Sequence, residues 1–395
     1  MTEAGRRSAT SVAQNVRRAL EPLRNHRPLW IATLVASRIL PGVQRLWPDT
    51  LVSTDVLARQ IDALLKAWGM SHGDASITTS YLVHADLHGI DSHGCSMLPY
   101  YHRGMLAGTF TMTPTIEVVR DGATTALIDG GGGLGYVPAD TAMKMAIAKC
   151  RATGIGAVAV RNSGHYGAAG AYALMAARDG LIGLSTTSTL EPAIVPTFGL
   201  DAMLGTNPIA FGAPASGTRP FLLDMATSTV SLGKVATAGH RGRSIPRGWA
   251  LDASGNPVTS PRAAIRQRRL APLGSDPDTS SYKGYGLAAM VEVLSAVLPG
   301  TKEAHRPAVG HFFLALDPRR FRDEGAFEAD LDRLMEQLRG TRPADPKHPV
   351  LVPGDPEFVS HAERSRSGIP LTRSVLEDLR AVCRVSGVPY TLEAP

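Results

Sequence analysis

The sequence is poor in cysteine, in charged side chains and in long apolar runs. Its 395 residues include three cysteines, whose odd number and wide spacing provide neither a disulfide framework nor a paired zinc motif. Although 44% of the residues are apolar and only 19% are charged, no uninterrupted apolar run reaches the roughly 18 residues that span a bilayer. We therefore expect a soluble protein of the reducing cytoplasm that makes no use of a membrane.

Most of the chain also lacks excess positive charge, in spite of a net charge of +6 and a pI near 9.3. The first 50 residues hold eight Arg and three acidic side chains, which leaves 33 basic and 32 acidic side chains in the other 345 residues. A nearly neutral body without a basic, aromatic stripe argues against nucleic-acid binding. We interpret residues 1–50 as a disordered or accessory extension, because no clean cleavage site of a targeting peptide follows.

The spacing of apolar residues predicts helices first and a mixed sheet afterwards. Helical spacing runs from Ser53 to Trp68 and again over 74–86, and Asp121-Gly122 is a strong hairpin signal. Further strands are predicted at 155–160, 181–186, 208–213, 220–224 and 310–317, further helices at 284–298, 326–339 and 374–386, and loops at 262–283 and 340–370. Hairpins beside crossovers indicate a mixed α/β fold rather than a doubly wound parallel sheet.

One glycine-rich turn lacks the acid that a dinucleotide fold needs. In "TTALIDGGGGLGYVPAD", Gly130, Gly132 and Gly135 satisfy the spacing G-x-G-x-x-G. A Rossmann unit also wants an acidic residue after the next strand, to hold the ribose hydroxyls. Here that strand, "GIGAVAV", ends in Arg161 and Asn162. We therefore favour a flexible turn that needs positive φ.

The densest polar cluster is "HADLHGIDSHG", residues 84–94. His84 and His88 share a helix face, but the H-E-x-x-H glutamate is absent and no second ligand cluster is evident, so we predict no metal. In "GIDSHG", two glycines flank Asp91, Ser92 and His93, so that a sharp turn presents a hydroxyl and an imidazole together. Imidazole titrates near neutral pH, which makes His93 a candidate acid and base.

A second histidine lies in "RNSGHYGAAGAYALMAA", where a strand runs into a helix of small residues. Small residues at a helix start let a ligand come close, and the N-terminus of a helix favours phosphate. This turn is a better phosphate site than the glycine-rich turn, although a simple capped turn explains the pattern equally well. No G-x-S-x-G motif of serine hydrolases is present.

Nine separated motifs in a fixed order resemble the malate/L-lactate dehydrogenase family that is unrelated to Rossmann-type lactate dehydrogenases. They are "ADLHGIDSHG", "RNSGHYGAAG", "GTNPIAFGAP", "FLLDMATS", "GKV", "IPRGWALD", "KGYGLAAMVEVL", "GHFFLALDP" and "VPGDPE". The resemblance runs from about residue 51 to 390. It implies a homodimer that uses NAD or NADP to interconvert 2-hydroxy and 2-keto acids, with a non-Rossmann cofactor domain.

The resemblance also implies roles for single residues. Ser92 and His93 match the relay and proton-donor pair, and Thr206, Gly233 and Lys234 match substrate-side positions. Cofactor contacts fall on three segments: His165, Tyr166, Gly167, Ala168 and Ala169; Asp224, Met225 and Ala226; and Pro353, Gly354 and Asp355. We expect an extension at 1–50, a helical part with His93 at 51–120, a mixed-sheet cofactor domain at 121–318, and a helical part at 319–395 that packs with the N-terminal one.

Two departures from the family pattern leave alternatives open. Several members carry Arg four residues after the histidine, where this chain has Met97, so Lys234, Arg161 or another base has to hold the substrate carboxylate. The loop at 299–309 is also short, which raises the alternative of a member that binds cofactor without turnover. A reductase of cyclic imino acids is the alternative within the same fold, and a metallohydrolase is the third.

Overall fold

The computed structural model describes residues 49–217, 219–240, 242–301 and 308–392. The predicted extension, apart from its last two residues, and most of the short loop at 299–309 lie outside these described residues. Within them, no helix is long and apolar enough to cross a membrane.

A mixed sheet of seven strands forms the centre of the molecule. Its spatial order is β2-β3-β4-β10-β5-β6-β7, and only β3 and β4 run parallel while all other neighbours are antiparallel. The strands are β2 Glu117–Asp121, β3 Thr125–Asp129, β4 Ile155–Ser163, β5 Ile182–Thr187, β6 Ile209–Ala213, β7 Phe221–Met225 and β10 Val309–Leu316. The mixed α/β prediction and the hairpin at Asp121-Gly122 are confirmed.

The described residues hold eleven α-helices and four short strands outside that sheet. The helices are α1 Thr54–Ala67, α2 His72–Leu87, α3 Leu98–Leu106, α4 Tyr136–Thr153, α5 Gly170–Arg178, α6 Leu232–His240, α7 Pro261–Gln267, α8 Ser281–Glu292, α9 Ala326–Arg339, α10 Asp355–Ser367 and α11 Arg373–Val385. A π-helical turn, Val293–Val297, extends α8. The short strands are β1 Thr50–Val52 with β11 Ile369–Leu371, and β8 Ala250–Leu251 with β9 Pro257–Val258.

Helices α4 and α5 pack on one face of the sheet through alanines and glycines. A Cβ at Gly156 of β4 would lie 2.0 Å from the Ala146 carbonyl oxygen, and one at Gly212 of β6 would lie 2.5 Å from that of Ala173. Only glycine fits at both places, so the helices sit unusually close to the strands. This close packing sets where the turn that leads into α5 comes to lie.

A second apolar core joins the two ends of the described chain. Strand β1 pairs with β11, and the indole of Trp68 donates to Ser386 Oγ at 2.8 Å. Leu57, Ile61 and Leu64 of α1 share one buried cluster with Leu379 of α11. The helices at both ends therefore pack together, while the division into domains stays a prediction.

The predicted loops at 262–283 and 340–370 are wrong in part. Helix α7 begins there behind a Ser260 cap, α8 begins at Ser281, and α10 fills Asp355–Ser367. Helix α10 buries only Asp355 and Phe358, so it carries almost no apolar periodicity. Helices α3 and α6, for which no prediction was made, are likewise too short to show a clear pattern.

Candidate active site

The turn that carries Ser92 and His93 is fixed to the end of helix α2. The Asp86 carboxylate accepts a hydrogen bond from the Cys95 amide at 2.8 Å. A Cβ at Gly94 would lie 1.8 Å from Asp86 Oδ1, so the close approach requires glycine. From the other side, the Arg364 guanidinium of α10 donates to the Asp86 carbonyl oxygen and to the Asp91 carboxylate. The turn is thus anchored at both ends.

His93 is held as a neutral base beside a hydroxyl. Its Nδ1 lies 2.8 Å from Ser92 Oγ, and burial lowers the pKa of His93 to about 4. When the ring takes up a proton, Nδ1–H donates to Ser92 and Nε2–H remains available for an oxygen of a bound molecule. The pair can therefore give and take one proton at Nε2.

A second imidazole stacks near the first. His165 lies in the turn between β4 and α5, and its ring centroid is 5.4 Å from that of His93. Its Nδ1 lies 2.7 Å from the Tyr101 hydroxyl, and burial lowers the pKa of His165 to about 3. Two neutral imidazoles from distant parts of the chain thus meet at one place, as neither motif alone indicates.

The predicted substrate-side residues approach this place to different extents. A Cβ at Gly233 of α6 would lie 3.3 Å from Ser92 Cβ, so the start of α6 touches the turn that carries Ser92 and His93. Lys234 follows, with Nζ 5.7 Å from the centre of the Trp249 ring. The Thr206 carbonyl accepts from the Thr227 amide at 3.0 Å.

Of the other two positions considered for a substrate carboxylate, one holds a neutral side chain and the other a base that is already paired. Met97 packs against the core of the terminal helices. Arg161 donates from Nε to Asp129 Oδ2 at 3.0 Å. Lys234, in contrast, directly follows Gly233, which touches the turn of Ser92 and His93.

The predicted cofactor segment at 165–169 offers mostly backbone. Tyr166 is buried and stacks on His311 with ring centroids 4.5 Å apart, and its hydroxyl lies 3.1 Å from Ser185 Oγ. Gly167 adopts φ of 82° against the Tyr136 ring. Ala168 and Ala169 are buried as well. Only the imidazole of His165 is both polar and partly accessible here.

The other two predicted cofactor segments meet beside the start of α5. Asp224 accepts from the Gly170 amide at 2.7 Å, and burial raises the pKa of this carboxyl to about 6. Met225 ends β7 and Ala226 follows it. The Pro353 carbonyl accepts from the Leu222 amide at 3.3 Å, Gly354 has φ of 98°, and both Asp355 oxygens bind Arg339, at 2.8 and 3.0 Å. Asp355 is thus committed to an ion pair.

A cleft of about 260 Å³, open solvent included, lies at this junction. It is lined by His84, His88, Ile90, Gly170, Ala171, Leu222, Asp224 and Glu357. His88 donates from Nδ1 to the His84 carbonyl at 2.8 Å, since a carbonyl only accepts, so Nε2 carries a lone pair. That buried Nε2 has no hydrogen-bond partner within the described residues.

Sequence reasoning assigned no binding role to several of these groups. Glu357 lies inside the quoted "VPGDPE" motif but was not singled out, and His88 was weighed only as a metal ligand. Tyr101, beside His165, carries no local signal at all. In the described part of the chain, no three His, Cys, Asp or Glu side chains are arranged to hold a metal ion.

An imidazole whose Nδ1 lies 2.8 Å from a serine hydroxyl is suited to acid–base chemistry, and here it stands on a mixed sheet rather than a Rossmann sheet. The model of the family described as malate/L-lactate dehydrogenase matches residues 52–380. The chain belongs to this family, and it is an oxidoreductase of the 2-hydroxy acid dehydrogenase type.

Among curated relatives, malate dehydrogenase of Pyrococcus abyssi is 40% identical over 350 residues, which cover 85% of this chain and 95% of that protein. L-sulfolactate dehydrogenase of Methanocaldococcus jannaschii is 35% identical over 334 residues, covering 82% and 94%.

Solved structures show the same fold. Malate dehydrogenase from Entamoeba histolytica matches with a TM-score of 0.82 at 30% identity, over 87% of this chain and 99% of that one. The Δ1-piperideine-2-carboxylate reductase of Pseudomonas syringae matches with a TM-score of 0.74 at 29% identity, over 84% and 99%. The fold prediction is confirmed.

Proposed function

We propose that the protein interconverts a 2-hydroxy acid and a 2-keto acid with a nicotinamide cofactor, using His93 as acid and base and Ser92 as its relay. The observation that carries the proposal is the Ser92–His93 pair, whose Oγ and Nδ1 atoms are 2.8 Å apart, beside the ring of His165. The malate and sulfolactate dehydrogenases named above support the substrate class.

In this proposal each protein group handles one part of the reaction. The bound nicotinamide supplies or accepts the hydride. During reduction, a His93 ring that has taken up a second proton from solvent would give its Nε2 proton to the carbonyl oxygen as that oxygen becomes an alkoxide. Ser92 Oγ accepts Nδ1–H meanwhile, so the ring keeps its orientation and one tautomer. During oxidation, the neutral ring takes the proton back.

The substrate carboxylate needs a cation or several N–H donors. We assign Lys234 to it, with Gly233 and Thr206 beside the substrate, because the start of α6 touches Ser92. Lys234→Gln is expected to raise KM for the keto acid about tenfold, a loss of one charge-assisted hydrogen bond. Lys144→Gln, on exposed α4 surface, is the control. Equal KM values in both variants would remove Lys234 from this role.

The polar side chains that line the cleft beside the start of α5 suit the adenosine ribose of NAD. The Asp224 and Glu357 carboxylates and the unpartnered His88 Nε2 are acceptors, which suit the hydroxyl donors of a ribose and disfavour a 2′-phosphate. The segments at 165–169, 224–226 and 353–355 then lie along the cofactor. We therefore propose NAD rather than NADP.

This cofactor preference is tested by comparing kcat/KM for NADH and NADPH. NADH is expected to be favoured at least about tenfold, or roughly 1.4 kcal/mol. Glu357→Gln is expected to reduce the ratio of kcat/KM for NADH to kcat/KM for NADPH. Glu363→Gln, at an exposed position on the same helix, is expected to leave this ratio unchanged. A preference for NADPH would contradict the assignment.

The main test follows NADH oxidation across a panel of 2-keto acids. His93→Asn is expected to lower kcat at least about 100-fold, the usual contribution of a general acid. His348→Asn, an exposed histidine, is the control. Wild-type turnover in His93→Asn would overturn the mechanism, and cofactor binding without turnover in the parent would favour a degenerate member.

The similarity to Δ1-piperideine-2-carboxylate reductase supports a second candidate, the reduction of a cyclic imino acid. Protonation of an imine nitrogen makes the same demand on His93 as protonation of a carbonyl oxygen. Faster turnover of a cyclic imine than of pyruvate or oxaloacetate would favour this candidate.

We also propose a cytoplasmic homodimer. All three cysteines are free and buried, as suits a reducing compartment. Helix α8 and its π-helical turn expose a row of apolar side chains, Met290, Val293, Val297 and Leu298, and such a patch is typical of an interface. Sedimentation of the parent and of Val297→Glu tests it, because a monomeric parent or an unaffected dimer contradicts the proposal.

A further inference from the structure

Three side chains from separate elements form a buried hydrogen-bonded row beside His93. Tyr136 opens α4, Tyr101 lies in α3, and His165 lies in the turn before α5. The Tyr136 and Tyr101 hydroxyl oxygens are 2.7 Å apart, and Tyr101 is 2.7 Å from His165 Nδ1. Both tyrosines are fully buried, at 0% exposure. Water therefore does not compete for these bonds.

The number of available acceptors gives the row a direction. The Tyr136 hydroxyl has no hydrogen-bond partner in the described chain other than Tyr101. If His165 donated from Nδ1, Tyr101 would have to donate to Tyr136, and the Tyr136 hydroxyl hydrogen would be buried without an acceptor. If Tyr136 donates to Tyr101 and Tyr101 donates to Nδ1, every hydrogen is used. The second arrangement is favoured, because a buried unsatisfied donor is costly.

The packing around the row keeps it in place. A Cβ at Gly167 would lie 2.7 Å from Tyr136 Cε1, so the turn that carries His165 rests directly on the Tyr136 ring. Because burial lowers the pKa of His165, the ring stays neutral at physiological pH. One ring nitrogen then carries the only proton, and the neighbour of Nδ1 decides which nitrogen that is.

We infer that Tyr101 and Tyr136 are positioning residues that hold His165 with its proton on Nε2, so that this ring presents an N–H donor to the substrate oxygens beside His93. The inference rests on the proposed function for the identity of the acceptor. The inference also accounts for the absence of a cationic side chain at position 97, where this chain has Met97. A fixed neutral N–H donor supplies one of the hydrogen bonds that a keto acid requires.

The experiment combines kinetics with nitrogen-15 NMR of the histidine rings. Tyr101→Phe keeps the ring but removes the donor to Nδ1, and it is expected to raise KM for the keto acid about tenfold with a smaller change in kcat. Tyr136→Phe leaves Tyr101 as a donor, and an increase of about threefold is expected. Tyr172→Phe removes an equally buried hydroxyl, bound to the Tyr166 carbonyl at 2.6 Å, and is the matched control.

The NMR spectra report the tautomer without any turnover. In the parent, the His165 Nε2 resonance is expected to show a bonded proton and Nδ1 a free lone pair, with a mixture in Tyr101→Phe and no change in Tyr172→Phe. A proton on Nδ1 in the parent overturns the inference, as does Tyr101→Phe with unchanged resonances and KM. A parent with the expected tautomer that reduces no keto acid refutes the proposed function but leaves the positioning of His165 standing.

Discussion

Two turns of this molecule follow neighbouring parallel strands and lead into helices on the same sheet face. Turn A, residues 130–135, joins β3 to α4, and turn B, residues 163–169, joins β4 to α5. Turn A carries the dinucleotide-like glycine pattern, yet its glycines face protein. A Cβ at Gly131 would lie 2.4 Å from the Thr115 carbonyl oxygen, and one at Gly135 would lie 2.4 Å from that of Gly164.

Turn B instead presents the side chain to which we assign a role in the proposed reaction. His165 meets His93, while Asp224 binds the amide of Gly170 directly after the turn. The two turns are tied together, because the Gly135 N–H donates to the His165 carbonyl at 2.9 Å. Turn A is also bonded to the end of β4, where the Arg161 and Asn162 carbonyls accept from the Gly130 and Gly132 N–H groups. A glycine pattern thus indicates that something approaches the backbone closely, without indicating whether that is a ligand or the protein itself.

The largest effect is expected on the free energy of unfolding, when a methyl group is added at a tightly packed glycine of turn A. In Gly135→Ala the new methyl group meets the Gly164 carbonyl, Tyr166 and His311, at 2.4 to 2.9 Å. The free energy of unfolding is expected to fall by about 3 kcal/mol, as for an overpacked core. Gly286→Ala, with open space around it in α8, is the control and is expected to stabilise slightly. Equal denaturant midpoints for both variants would mean that turn A is not packed as described.

Changing turn B is expected to affect catalysis more than folding. His165→Asn removes the imidazole beside His93, and kcat/KM is expected to fall about 100-fold, or 2.7 kcal/mol. The thermal midpoint should change far less than in Gly135→Ala. If His165→Asn keeps the full kcat/KM, His165 has no role in the reaction and serves only packing, like the glycines of turn A.

A smaller loss of stability is expected where turn A is joined to the end of β4. Asp129 accepts from the Gly131 amide at 3.0 Å, from Asn162 Nδ2 at 2.9 Å and from Arg161 Nε at 3.0 Å. Asp129→Asn is expected to cost about 1–2 kcal/mol of unfolding free energy, because the charge-assisted bonds weaken. Asp179→Asn, whose partner Arg151 lies on the surface, should cost less than about 0.5 kcal/mol. Chemical denaturation compares the two, and equal costs would contradict the structural role of Asp129.

The smallest effect on stability at neutral pH is expected from protonation of the His165 side chain in turn B. Burial lowers the pKa of His165 to about 3 in the folded chain, against 6.5 when unfolded. The unfolded state therefore binds more protons between these values, and stability is fully present above pH 6.5 and lost as the pH falls. His165→Asn is expected to lose less stability than the parent between about pH 6.5 and pH 4, measured by thermal unfolding. His348→Asn, at an exposed position, should follow the parent, and identical curves for all three would refute the assignment.

Much of the fold could be predicted from local patterns. The hairpin at Asp121-Gly122, the strand predicted at 155–160 and found at Ile155–Ser163, and the helix over 326–339 follow from turn chemistry and periodicity. Helices α7 and α10 could not be predicted, because α7 has seven residues and α10 buries almost no apolar face. For the site, the sequence alone pointed to the motif around Ser92 and His93 as a candidate acid and base. The roles assigned to the site residues are tested by the variants above.

By itself, the sequence determined the elements that depend on near neighbours: amphipathic helices, the hairpin, a mixed sheet and the two histidine motifs. Only the tertiary structure decided which turn faces the site, since Gly131 and Gly135 meet Thr115 and Gly164 across the sheet. It also decided that Tyr101 and Tyr136 reach His165, and that His88 Nε2 has no partner in the described chain. These are contacts between residues far apart in the chain, and local patterns carry no record of them because distance along the chain is unrelated to distance in the packed core.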